Sequence, residues 1–308
     1  MRYTANAMRQ NPAIHLKASQ LRESVERLSW SSPGIKAKGK SQWLDLLEMT
    51  APEYDLFLKG NRGLPVHALE AICNRFLITE QQLEKGEIDF REIAINQSPA
   101  NLDFPERYRI AAFGRRRTTI HALDFVEKNS GWRMRAKLLQ DHDIGERLLT
   151  EPMGAISIQC ITDICSTLRT AYAYRDRDFY RMGLYAGISR QNPALCELLE
   201  NCTNPGEIYE RLFTDLMRFF EHNCHYDVVR LDDRRCTVEV RDRSSIASAI
   251  GVRNLGSADV CSLKAGWMAA APSYLGLPFA KIEEVSCVHR GDPVCCFEID
   301  FEEASAVS

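Results

Sequence analysis

The chain has 308 residues, 45% hydrophobic and 26% charged, which are ordinary proportions for a globular protein with a sizeable core. Its formal charge of −3 excludes bulk coating of nucleic acid or anionic membrane, so any DNA contact needs a local basic patch. No apolar run approaches the ~20 residues of a membrane span, and the N-terminal segment has no signal-type apolar core. The odd count of eleven cysteines does not suit a disulfide framework; the expectation is a cytoplasmic protein with no membrane partner.

Residues 12–30 have Leu21, Val25 and Leu28 at helical spacing. The stretch SSPGIKAKGKS then reads as a break. Three short helical segments follow, SQWLDLLEM, PEYDLFLKG and PVHALEAICNRFL. A fourth, TEQQLEKG, is capped by Thr79. Residues 86–104 read as a polar connector. From about 106 the pattern is helical again, in two apolar-striped segments divided at Gly131. Arg115, Arg116 and Arg117 form the densest basic run, read as a solvated helix start with phosphate contact as the other reading. Helical spacing continues through 158–174, 178–188, 193–201 and 206–222. The period then changes to two. YDVVRLDD and CTVEVRD read as strands of a hairpin that turns at Asp232–Arg235. Helical spacing returns at 257–274, and two strand-like runs, AKIEEVSCV and PVCCFEIDF, close the chain.

Cys73, Cys160, Cys165 and Cys196 sit among apolar residues and read as small buried hydrophobes. The C-terminal group differs. Cys261, Glu284, Cys287 and Cys295 offer three sulfurs and a carboxylate, a set that suits a closed tetrahedral zinc site with no position left for catalysis. The competing reading is buried free thiols. A turn at Arg290–Asp292 brings Glu284 and Cys287 to Cys295, and Cys261 arrives from the preceding helix. Cys296 points to the opposite strand face, and His289 is placed in the turn, exposed.

The segment CSLKAGWMAAAPSYLGLPFAKIEEVSCVHRGDPVCCFEI resembles the end of a 4-vinyl reductase domain, whose pattern is Cys, then Glu-x-x-Cys, then Gly-Asp-x-x-Cys. Such domains occur in the sensory half of phenol- and toluene-responsive activators and beside enzymes of bacteriochlorophyll synthesis. The resemblance implies structural zinc on Cys261, Glu284, Cys287 and Cys295, with Gly291 and Asp292 in the turn. It also implies an α/β fold shared with haem-based nitric-oxide sensors and a trafficking-complex subunit. No Tyr-x-Ser-x-Arg signature is present, so haem is not expected.

LEMTAPEYDLFLKGNRGLPVHALEAICNRFLITEQQL resembles the latter part of a repressor-type (Cro/cI-like) helix-turn-helix, matching at Gly60, Pro65, Leu69, Ile72 and Leu83. The resemblance implies a recognition helix at about Pro52–Lys59. That helix departs from the pattern, because Glu53 and Asp55 repel phosphates and no Arg, Asn or Gln is offered to base edges. Lys36, Lys38, Lys40, Lys59 and Arg62 flank it as candidate backbone contacts. The segment 145–186 is similar in pattern to the start of the ligand domain of some AraC-type regulators.

The expected class is therefore α+β. A helical domain at 12–85 is joined by a helical connector at 86–149 to a zinc-containing ligand-binding domain at 150–302, whose sheet is mainly antiparallel. Trp267, Tyr274, Phe220 and His222 are the candidate ligand contacts, an aromatic box with a polar handle; a lone aromatic is otherwise core. The expected function is a non-enzymatic one-component transcriptional regulator, a homodimer, that binds a small apolar or aromatic ligand and controls DNA binding. The alternative is an adaptor or accessory protein of an enzyme pathway, its helix-turn-helix module binding protein. Neither an ATPase motif nor a dinucleotide loop is present.

Overall fold

In the N-terminal part of the chain, apolar residues at helical spacing build a bundle. The computed structural model describes residues 12–31, 35–97, 103–189, 193–217 and 221–302. Helix α1 spans Pro12–Ser31 and α2 spans Ile35–Leu47. The expected break at 31–41 is thus too long: the lysine- and alanine-containing segment after Gly34 has helical propensity, and α2 incorporates it. Helices α3 (Ala51–Leu58), α4 (Val66–Phe76) and α5 (Glu80–Lys85) follow. Thr79 Oγ1 caps α5 through the Gln82 amide at 3.2 Å, and Gly86, at φ 68°, closes it in the left-handed region.

Helix α6, Phe90–Gln97, lies where a polar connector was expected. Asp89 Oδ1 accepts the amides of Arg91 (3.0 Å) and Glu92 (2.9 Å) and so starts the helix. Ile93 is buried with Val25, Leu28, Trp43, Leu47, Phe57, Ile72 and Leu83 in one core. The Arg27 guanidinium lies 4.4 Å from the Phe90 ring centroid. These contacts, invisible in a count of polar residues, put 86–97 in the bundle.

The second unit comprises residues 104–144 and the chain from Leu149 onward, while Gly145–Leu148 group with residues 1–103. It opens with helix α7 (Glu106–Arg109) and strand β1 (Gly114–Arg115). Helices α8 (Arg116–Ser130) and α9 (Trp132–Asp141) come next. After a 3-10 turn at Glu146–Leu149 come β2 (Ala155–Ile156), α10 (Ile158–Tyr172), α11 (Asp176–Ile188) and α12 (Pro193–Leu199). Helix α13 (Pro205–Arg211) runs on into a π-helical turn at Leu212–Leu216. The rest is β3 (Cys224–Leu231), β4 (Arg235–Asp242), α14 (Ser244–Ile250), α15 (Ala258–Ala269), a 3-10 turn at Ala271–Leu275, β5 (Lys281–Ser286) and β6 (Cys295–Asp300).

Helices α8 and α9, expected to form a connector, are integral to this unit. Leu123, Val126 and Leu138 are fully buried, and Phe125 of α8 meets Tyr185 of α11 edge-on at 6.0 Å. The arginine run is not simply solvated: Arg116 pairs with Glu151 at 3.3 Å, and Arg117 is drawn partly into the interior, where burial lowers its pKa.

The main sheet is antiparallel, in the order β3-β4-β6-β5. Asp232 Oδ1 accepts the amides of Arg234 (3.0 Å) and Arg235 (2.9 Å), which fixes the expected β3–β4 turn. Each edge strand carries one inserted residue, at Val229 in β3 and at Val285 in β5. Between α13 and the sheet, Phe301, Tyr209, Phe213 and Tyr226 stack in sequence at 5.2, 6.1 and 5.9 Å. Helices α11 and α15 meet backbone to backbone. A Cβ on Gly183 would fall on the Leu263 carbonyl, and one on Gly266 would fall on that of Tyr180. The architecture is the expected α+β class. No helix among the described residues is long and apolar enough to cross a membrane.

Candidate metal centre

Helix α15 begins at a Ser257 cap, whose hydroxyl accepts the Val260 amide at 3.3 Å. In its first turn the buried Asp259 accepts the Arg169 Nε at 2.7 Å, tying α15 to α10. This anchoring places the buried Cys261 against the end of the β5–β6 hairpin. In a regular strand, residues three apart face opposite sides. The inserted Val285 reverses that parity, so Glu284 and Cys287 reach the same side. Beyond Cys287 the chain turns through Val288–Arg290 and Gly291, at φ 100°. The Cys287 amide donates to Asp292 Oδ2 (2.8 Å), and the Cys287 carbonyl accepts the amides of Arg290 (2.9 Å) and Asp292 (3.2 Å). Cys295 then opens β6 facing inward, while Cys296 lies half-buried on the other face.

The structure brings the four predicted ligands together: one ligand atom from each of Cys261, Glu284, Cys287 and Cys295 lies within 4.8 Å of all the others. The Cys261 and Cys295 sulfurs are 3.7 Å apart. Two sulfurs on a tetrahedral zinc at ~2.3 Å would be about 3.8 Å apart. Glu284 presents a buried Oε1 without a hydrogen-bond partner, while Oε2 is held by Arg290 Nη1 at 3.0 Å. A buried carboxylate oxygen left bare costs free energy unless a cation or donor meets it. Interaction with the Cys261 thiol lowers the pKa of Cys287 and of Cys295 and raises that of Cys261. Burial, and then the neighbouring Cys287 sulfur, raises Glu284 to about 7. The donor set thus fits a divalent thiophilic ion: three sulfurs, two of them eased toward thiolate, and an oxygen left bare. His289 is not in the set; its Nε2 lies 3.2 Å from the Leu255 carbonyl.

The predicted ligand contacts are less concentrated. Trp267 and Tyr274 pack, half-buried, on the core between α15 and the sheet. His222 is half-buried just ahead of β3, and Phe220 lies outside the described residues. Of the predicted DNA contacts, Lys59 is exposed, whereas Arg62 Nη1 is engaged by Glu53 Oε1 at 2.5 Å. Thr50, through its amide and hydroxyl, and then Arg62 hold the Glu53 pKa down at about 2, so the charge of the pair is internally matched. The side chains of Lys38 and Lys40 lie outside the described residues. The exposed residues of α3 are Pro52, Asp55 and Leu56.

Sequence reading missed Lys264 and Arg290. Lys264 stands three residues after Cys261, with Nζ 3.2 Å from Cys224 Sγ. Its one sequence signal is that spacing, which puts it on nearly the same helix face as Cys261.

The chain matches no protein-family profile and no curated protein sequence. Similar solved structures are H-NOX proteins. The A71G mutant of the Fe(II) unliganded protein from K. algicida has a TM-score of 0.45 at 13% identity, covering 60% of this chain and 95% of that one. The Fe(II)NO form of an H-NOX protein from S. oneidensis has a TM-score of 0.46 at 11% identity, covering 60% and 98%.

Proposed function

We propose that the chain is a non-enzymatic, ligand-responsive regulator. In this reading its second unit is a 4-vinyl-reductase-like sensor braced by one structural zinc ion, and its first unit is a helix-turn-helix-like effector. The observation that carries the reading is the convergence of Cys261, Glu284, Cys287 and Cys295, with Glu284 Oε1 unpaired. Zinc held by four protein ligands supplies folding free energy and no open coordination position. It would pin α15 to the β5–β6 hairpin. Trp267 and Tyr274, on and just after α15, are where a small apolar or aromatic ligand would be felt.

Metal analysis of protein purified without chelators tests the first step. One zinc per chain is expected, and its loss in Cys287→Ser together with much of the ordered structure of the second unit. Zinc-free wild-type protein removes the metal reading, and a zinc-replete Cys287→Ser protein removes the ligand assignment.

A second reading has a specific observation behind it. Helix α3 exposes Pro52, Asp55 and Leu56, and Arg62 is committed to Glu53. Such a face suits a protein partner better than a DNA groove, which rewards free cations and amide side chains. Titrating DNA at low and high salt separates the two. DNA binding that weakens with salt, and weakens further in Lys59→Ala, supports the regulator. Absence of binding at low salt supports the adaptor.

A further inference from the structure

The liganded metal centre has a charge problem. Three thiolates and one carboxylate bring four negative charges, and a divalent ion cancels two. A doubly negative cluster inside a protein core is costly unless cations stand beside it. Two side chains, Arg290 and Lys264, are placed to do so.

Arg290, exposed in the turn after Cys287, reaches back to Glu284. Nη1 binds Oε2 at 3.0 Å and Nη2 donates to the Glu284 backbone carbonyl at 3.1 Å. This clamp occupies one carboxylate oxygen and leaves Oε1 facing the sulfurs. Lys264 lies on α15, one helical turn beyond Cys261. Its ammonium donates to Cys224 Sγ at 3.2 Å and lies 5.8 Å from the Tyr226 ring centroid. The ionisable groups around it include Cys224, Tyr226, Glu221, Cys261 and Cys295. Burial raises the Cys224 thiol to about 12 and raises the Tyr226 phenol, so both neighbours are neutral. Glu221 bonds the amide and the side chain of Asn223, at 2.8 and 2.6 Å. Among the described residues no carboxylate stands at ion-pair distance from Lys264. A half-buried cation whose hydrogen-bond and ring partners are neutral, next to a cluster that becomes doubly negative on loading, is complementary to that cluster.

We infer that Lys264 and Arg290 are the counter-charges of the metal centre and set its affinity for a divalent ion. The inference rests on the metal reading above. Neither side chain ligates the ion. Lys264 stabilises the thiolates by its charge, and Arg290 also holds Glu284 so that Oε1 alone is presented. The groups orienting metal ligands commonly matter by 10- to 100-fold in affinity.

The test uses the full chain, stripped of metal and titrated with Co2+, whose sulfur-to-cobalt charge-transfer band reports binding. Competition with a chelator gives the affinity. Lys264→Met and Arg290→Met are each expected to weaken Co2+ binding by about tenfold or more, and the double variant further. In Lys264→Met the band should also move to lower energy. Removing a cation beside the sulfurs raises their lone pairs and makes electron transfer to the metal easier. Lys264→Arg should keep the wild-type affinity and band position, which a simple packing role would not predict. Since Arg290 is exposed, Arg290→Met carries the affinity test even if Lys264→Met fails to fold. One Co2+ bound with wild-type affinity and band position in both Met variants overturns the counter-charge assignment while leaving the metal reading intact. Absence of Co2+ binding by the wild-type chain overturns both.

Discussion

His121 lies buried in α8, with Nδ1 lacking a hydrogen-bond partner and Nε2 3.4 Å from Ser189 Oγ. Burial, and then the nearby Arg117 charge, depress its pKa from 6.5 to about 4. The folded value lies below the unfolded one, so protons bind the unfolded chain more tightly through that window. The stability tied to neutral His121 is complete above about pH 6.5 and is lost as pH falls through about 4, a swing of about 3 kcal/mol. Urea titrations of wild type and His121→Phe from pH 7 to pH 4 check this. The variant should show a shallower decline, with a residual slope from His142, whose pKa burial also lowers. Parallel profiles would contradict it. The same residue-level logic separates Lys264 from the sequence reading. A lone lysine on a helix reads as a solvated charge, and only the fold shows Cys224 and Tyr226 beside it.

Helices α11 and α15 touch through glycine because no larger residue leaves room for the facing carbonyls. Gly266→Ala would set a methyl on the Tyr180 carbonyl oxygen, with no flexible side chain to give way. The expected loss is about 1–3 kcal/mol or more, read as a lowered midpoint in thermal or urea unfolding of the protein as purified. An unchanged midpoint would mean that the helices are not in contact. Elements of this kind show which parts of the sequence were legible. The β3–β4 hairpin could be read because alternation and an Asp-rich turn agree. The first half of α2 and all of α6 were misread because Lys, Gly, Asp and Glu suggest linkers. The helix holding Trp43 and Leu47 was read, but not how far it extends toward Ile35, and burial of Ile93 makes α6 part of the bundle. Glu284 and Cys287 were legible as ligands only by pattern. Their spacing contradicts strand periodicity, and the inserted residue that resolves the conflict leaves no compositional mark.

At the scale of the whole molecule, the regulator reading entails a homodimer, since a helix-turn-helix module reads paired half-sites through two-fold symmetry. Sedimentation at micromolar concentration should give twice the chain mass; a monomer, free and with DNA, would contradict it. On the same reading, Trp267→Ala should weaken binding of an apolar or aromatic ligand and leave the proposed zinc in place, because a wall is removed and no metal ligand is touched. Unchanged ligand affinity by calorimetry would take Trp267 out of the ligand site. The paired bulges at the sheet's edges bear on a different property, resistance to runaway self-association. An exposed edge strand is a template for another chain, and an inserted residue spoils the template. Both edge strands, β3 and β5, carry one. The insertion that brings Glu284 and Cys287 to one side therefore also blunts that margin of the sheet, so deleting Val285 is expected to break up the proposed ligand set and to open a route to fibres.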